Sequence, residues 1–171
     1  MHDLLFRGAR LIDGSGAPAR LADVAVDAGL ISAICDAEHA DQRPAARHVV
    51  ECGGLVLAPG FIDAHTHDDA LMLEKAPLQQ AHPKLSQGVT TVVIGNCGIS
   101  LAPLDAAVHH ELPPPLNILK REAFRFTSVA AYLDAVAAQP PVCNVVTLLG
   151  HTSLRVKHLP DLQQEASAKQ A

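Results

Sequence analysis

The chain has 171 residues, a formal net charge of −5 and 49% apolar residues, with only 3% aromatics and no Trp. That length allows one domain, or one domain and part of another, with enough apolar side chain for a sizeable core. The charge is spread along the chain, which argues against a nucleic-acid partner, and the longest apolar run, about ten residues, is too short to span a bilayer, which argues against a membrane partner.

The N-terminal MHDLLFRGAR lacks a basic start followed by an apolar stretch, so it does not read as a signal peptide. We expect a cytoplasmic location. Residues 3 to about 58 read as short strands between turns. Residues 3–7 and 9–12 form a first run that ends at Asp13-Gly14-Ser15-Gly16, and 23–26 and 30–34 form a hairpin about Asp27-Ala28-Gly29. A strand at 47–51, the turn Cys52-Gly53-Gly54 and a run at 55–58 complete the series. No helical period of any length emerges, so residues 1–58 are expected to form a small all-β unit.

From Pro59 the pattern changes. Residues 60–64 form a short buried-type strand running into His65-Thr66-His67. Residues 71–85 are mostly helix-compatible, with Pro77 and Pro83 near the ends. Residues 89–95, Val-Thr-Thr-Val-Val-Ile-Gly, read as a strand covered on both faces. A long connection, 101–127, is either a segment closing over a site or a surface excursion. Thr127 or Ser128 can cap a helix to about Ala138, with Val129, Leu133, Val136 and Ala137 on one side. Residues 142–149 read as a third strand with His151 at its C-terminal end, and the alanine-rich tail 159–171 as possible helix. Strands alternating with helices imply parallel βαβ units.

The chemistry gathers at the strand ends. Residues i and i+2 of a strand share a side, so His65 and His67 can aim into one space with Thr66 turned away. Two imidazoles so placed are half of a metal site. Asp63 shares their parity, and Asp68 and Asp69 follow, where a carboxylate can accept the second ring N–H of a ligating His. The next strand ends in Gly95-Asn96-Cys97-Gly98, which puts Cys97 at the same end of the sheet as a thiolate donor able to bridge two metals. Cys35, Cys52 and Cys143 have no such setting and read as inert structural thiols. His82, His109, His110 and His158 read as surface residues, and His151 as a loop histidine that can face the active-site mouth.

These segments carry a family resemblance. Leu57-Ala58-Pro59-Gly60-Phe61-Ile62-Asp63-Ala64-His65-Thr66-His67-Asp68-Asp69 resembles the first barrel strand of the amidohydrolase superfamily. The run from Lys84 to Pro103, with Gly95-Asn96-Cys97-Gly98 at its centre, and Leu149-Gly150-His151-Thr152-Ser153-Leu154-Arg155 resemble the N-acyl-D-amino-acid deacylases, or D-aminoacylases. The resemblance implies an α/β fold in which residues 1–58 are part of a small β-sandwich and residues 59–171 about three βα units, the N-terminal portion of a (β/α)₈ TIM-type barrel. It implies a zinc-dependent hydrolase, with one or two ions in the complete enzyme. His65, His67 and Cys97 would be metal ligands. By their positions beside these residues and strand ends, Asp69, Asn96 and His151 are candidates to line the active site. The reaction implied is N-acyl-D-amino acid plus water to D-amino acid plus carboxylate, on a small-molecule substrate.

A barrel of this kind takes about 250 residues. We therefore expect this chain to be an inactive N-terminal fragment, with the catalytic groups beyond residue 171. The alternatives are another amidohydrolase, dihydropyrimidinase-like or dihydroorotase-like, against which Gly95-Asn96-Cys97-Gly98 argues, and a non-catalytic interaction module.

Overall fold

The computed structural model describes residues 1–36, 43–74, 83–108, 111–159, 161–168 and 170. His82, His109, His110 and Pro77 lie outside the described residues. The chain divides into two compact units, Met1–Pro59 and Gly60–Ala171.

The first unit is a five-stranded sheet built around β1 (His2–Leu11). β1 pairs antiparallel with β2 (Arg20–Asp27), which forms a hairpin with β3 (Leu30–Asp36). On its other edge β1 pairs parallel with β4 (Ala46–Glu51) and β5 (Val56–Leu57). The first run expected over 3–7 and 9–12 is β1. Its register slips between Phe6 and Ala9, where Gly8 takes a φ of +65°. A bulge leaves a backbone N–H outside the ladder. Here the fully buried Asp23 carboxylate accepts it at 2.7 Å and faces Arg43 at 3.3 Å. Leu5, Ala9, Leu11, Ala22 and Val24 are buried, and no helix occurs among the unit's described residues.

The second unit holds a parallel three-stranded sheet in the order β10-β7-β6. Its strands are β6 (Phe61–Asp63), β7 (Val89–Ile94) and β10 (Asn144–Thr147). The connection between β7 and β10 is not a surface excursion. It contains the antiparallel pair β8 (Leu104–Asp105) and β9 (Arg125–Phe126), and it buries Leu101, Leu104, Leu116, Phe124 and Phe126 in one cluster with Val92 and Ile94 of β7. Of the two readings left open for this segment the surface excursion fails, because the apolar residues between its prolines draw it inward.

Helix α1 (Val129–Ala138) starts at Ser128, whose Oγ accepts the Ala131 N–H at 3.1 Å. Its buried positions are Tyr132 and Val136, one turn apart, while Leu133 is exposed, so the apolar face is rotated from the one expected. The expected helix over 71–85 falls largely on residues outside those described, and single 3₁₀ turns occupy Leu71–Leu73 and Leu85–Gln87. The third strand is shorter than expected, although the Leu148 N–H still reaches the Ile94 carbonyl at 2.9 Å. His151 is not at a strand end: it is the first residue of α2 (His151–His158), and the described tail residues form no helix. No helix is long and apolar enough to cross a membrane among the described residues.

Candidate metal centre

Because β6 and β7 are parallel neighbours, the segments that leave their C-terminal ends run side by side. β6 stops at Asp63, two residues before His65, yet alternation persists beyond it. Thr66 is buried and donates its N–H to the Val93 carbonyl at 3.2 Å, while His65 is exposed and His67 half-buried. Asn96 Nδ2 donates to the same carbonyl at 2.8 Å and to the Thr66 carbonyl at 3.4 Å, so it fastens the two segments together.

Cys97 is presented by a strained turn. Gly95, Cys97 and Gly98 all have left-handed φ values, +81°, +54° and +76°. For Cys97 that conformation costs about 1–2 kcal/mol. Gly95 has no alternative, since a Cβ there would lie 2.2 Å from the Leu148 carbonyl oxygen. Behind the turn, Ser153 of α2 holds both backbone groups of Ser100, and Ser100 Oγ accepts the Gly150 N–H at 3.0 Å.

The result is a convergence of one donor atom each from His65, His67 and Cys97, all within 4.8 Å of one another. His65 Nε2 and Cys97 Sγ are in hydrogen-bond contact at 3.0 Å, and the two imidazoles meet edge to face at 79°. Cys97 is exposed, in contrast to the buried Cys52 and Cys143 and the half-buried Cys35. A set of two nitrogens and one sulfur suits a borderline-soft ion such as zinc. The buried Nδ1 of His67, which has no hydrogen-bond partner among the described residues, is the kind of atom a ligand would satisfy.

The neighbouring carboxylates do not back the imidazoles as expected. Asp63 accepts the His65 backbone N–H at 3.2 Å and the Lys84 ammonium, which holds its carboxyl below the usual range. Asp68 lies 3.3 Å from the same ammonium. Asp69 is almost fully buried, and that burial pushes its carboxyl up to about 6 against the opposing pull of hydrogen bonds from its own and the Gly95 backbone N–H. Its carbonyl accepts the Tyr132 hydroxyl at 2.9 Å. Among the lining candidates, Asn96 and Asp69 thus adjoin the ligand segments, whereas His151 is exposed at the start of α2 and outside the donor cluster. The supporting contacts of Lys84, Tyr132 and Ser153 were not legible in the sequence, because nothing in their spacing links them to His65, Asp69 or Ser100.

Residues 48–171 match the amidohydrolase family. The chain belongs to that family. This amidohydrolase chain is 49% identical over 166 residues to the D-aminoacylase of Alcaligenes xylosoxydans xylosoxydans, covering 96% of itself and 32% of that protein. A crystal structure of D-aminoacylase, reported as defining a novel subset of amidohydrolases, superposes with a TM-score of 0.87 at 45% identity, over 99% of this chain and 34% of the other. The N-acyl-D-glutamate deacylase of Bordetella bronchiseptica was solved with zinc and a phosphonate inhibitor that mimics the reaction's tetrahedral intermediate. It superposes with a TM-score of 0.85 at 41% identity, over 99% of this chain and 34% of that one. The chain spans about a third of the length of the curated relatives it matches.

Proposed function

We propose that this chain supplies the His65, His67 and Cys97 ligands of a zinc centre that hydrolyses N-acyl-D-amino acids to D-amino acid and carboxylate. The observation that carries the reading is the meeting of these three donors within 4.8 Å at the ends of adjacent strands. Zinc held there supplies Lewis acidity toward the acyl carbonyl and activates water. The chain's own residues build the platform. Thr66 and Asn96 lock the two ligand segments onto the Val93 carbonyl, and the left-handed Cys97 turn projects a thiol that is accessible to solvent and therefore to substrate. Asp69 and Asn96 border that space. The N-acyl-D-glutamate deacylase with its zinc and phosphonate supports both the metal and the substrate class.

The same reading takes β6, β7 and β10 as the first three strands of a (β/α)₈ barrel and Met1–Pro59 as part of a β-sandwich. The in-order parallel sheet supports the first assignment. A cytoplasmic setting suits an exposed ligand thiol, which a reducing compartment keeps available.

The test is metal analysis of the chain after zinc loading and dialysis. Wild type should retain zinc, and Cys97→Ala should lose it, as should His65→Ala combined with His67→Ala. In a chain of the relatives' full length, Cys97→Ala should also abolish release of D-amino acid from N-acyl-D-amino acids. Undiminished zinc in Cys97→Ala would refute the assignment.

A further inference from the structure

The structure assigns Lys84 as the residue that positions the His65-Thr66-His67 ligand segment, by clamping the carboxylates on its two flanks with one ammonium group. Lys84 sits on the turn before β7, some twenty residues along the chain from the segment it holds. Its Nζ donates to Asp63 Oδ2 and lies 3.3 Å from Asp68 Oδ2. Asp63 precedes the ligand segment and Asp68 follows it, so a single cation fixes both of its ends. The first link runs further: Asp63 Oδ1 accepts the His65 backbone N–H at 3.2 Å, which sets the direction of the chain where His65 leaves the strand.

This arrangement is more than a surface ion pair. The three side chains keep only 28%, 26% and 22% of their areas exposed, so solvent screens them partially. The two carboxylates flank the ligands yet neither is hydrogen-bonded to an imidazole. Their shared partner is Lys84, and the clamp acts on the ligands through the backbone. Losing it would free the segment between Asp63 and Asp68 to open away from Val93, and it would leave two adjacent carboxylates unneutralised. Residues that support metal ligands typically change affinity about 10–100-fold when removed.

The consequence for metal rests on the zinc-centre reading, whereas the clamp itself does not, and the experiment separates them. Amide hydrogen exchange at Thr66, whose N–H is held by Val93, is measured in the metal-free chain. Zinc affinity is measured by competition with a chelator. The variants are Lys84→Met, Lys84→Arg and Asp63→Asn, with tyrosine fluorescence of Tyr132 reporting that each remains folded. Lys84→Met should speed Thr66 exchange at least about tenfold while the Tyr132 amide stays protected, and should weaken zinc binding about 10–100-fold. Lys84→Arg should restore most of both, and Asp63→Asn should reproduce part of both. Unchanged Thr66 exchange in Lys84→Met overturns the clamp, and loosened exchange with zinc affinity at the wild-type value overturns its role in positioning the ligands. If Lys84→Met does not fold, Asp63→Asn decides by the same two criteria. If wild type binds no zinc, the metal-centre reading fails, and Thr66 exchange alone upholds or overturns the positioning role.

Discussion

Replacing Ser153 with Ala removes one oxygen and should cost far more than its size suggests. The side chain is fully buried. Its Oγ accepts the Ser100 N–H at 3.0 Å and donates to the Ser100 carbonyl at 2.7 Å. Ser100 cannot compensate with its own hydroxyl, which already donates to the Ala102 carbonyl and accepts the Gly150 N–H. The substitution therefore orphans two buried backbone groups. Each costs about 1–3 kcal/mol when left unsatisfied, giving a loss of roughly 2–5 kcal/mol once modest relaxation is allowed. The assay is urea unfolding followed by tyrosine fluorescence. Tyr132 is the sole tyrosine and there is no Trp, so the signal reports on Gly60–Ala171. With a slope of about 1–3 kcal/mol/M, the midpoint should fall by about 1 M or more at constant slope. A loss below about 0.5 kcal/mol, the range of an ordinary surface substitution, would refute the claim that Ser153 holds the segment after the Cys97 turn.

Two further outcomes follow from the same unit. Gly95→Ala places a Cβ 2.2 Å from the Leu148 carbonyl oxygen and forces Ala into a left-handed φ. It should lower stability by about 2–4 kcal/mol in the same assay, and a wild-type midpoint would contradict the contact. Burial pushes the Tyr132 hydroxyl above its ordinary range. Above about pH 10 the unfolded chain loses this proton while the folded chain keeps it, so the unfolded state binds fewer protons and stability falls as pH rises. Tyr132→Phe, followed by far-ultraviolet circular dichroism because it leaves no tyrosine, should be less stable than wild type at neutral pH by about 1–3 kcal/mol, because the Asp69 carbonyl loses its donor, and should decline less steeply above pH 10. An identical alkaline slope in both proteins would show that Tyr132 does not carry the effect.

What the sequence made legible is whatever has a local signature. The β-branched run before Gly95, the Ser128 cap and the Asp27-Ala28-Gly29 turn each declare themselves within a few residues, and each forms. The convergence of His65 and His67 with Cys97 was readable because parallel neighbouring strands bring their ends together. Helix α2 escaped notice because its N-cap, Gly150, has no side chain to cap it and the helix opens on His-Thr-Ser. Residues 142–149 looked like one strand because an apolar run does not show where its pairing partner ends. The 101–127 segment stayed open between two readings because proline marks a break in regular structure but says nothing about depth. The supports of the site, Lys84 to Asp63, Tyr132 to Asp69 and Ser153 to Ser100, join residues 21, 63 and 53 positions apart, and only the fold creates them.

The order β10-β7-β6 has a consequence for how the site comes into being during synthesis. β6 pairs directly with β7, and Cys97 follows β7 at once, so His65, His67 and Cys97 can be brought together before β10 has been translated. Contacts that close short stretches of chain form early, since little loop entropy is lost in making them. The parts that brace the turn come from later in the chain: the Leu148 carbonyl against Gly95, and Gly150 and Ser153 against Ser100. On this order the nascent chain can gather His65, His67 and Cys97 first, held by Thr66, Asn96 and Lys84, and brace the Cys97 turn from behind only once the chain beyond β10 is made.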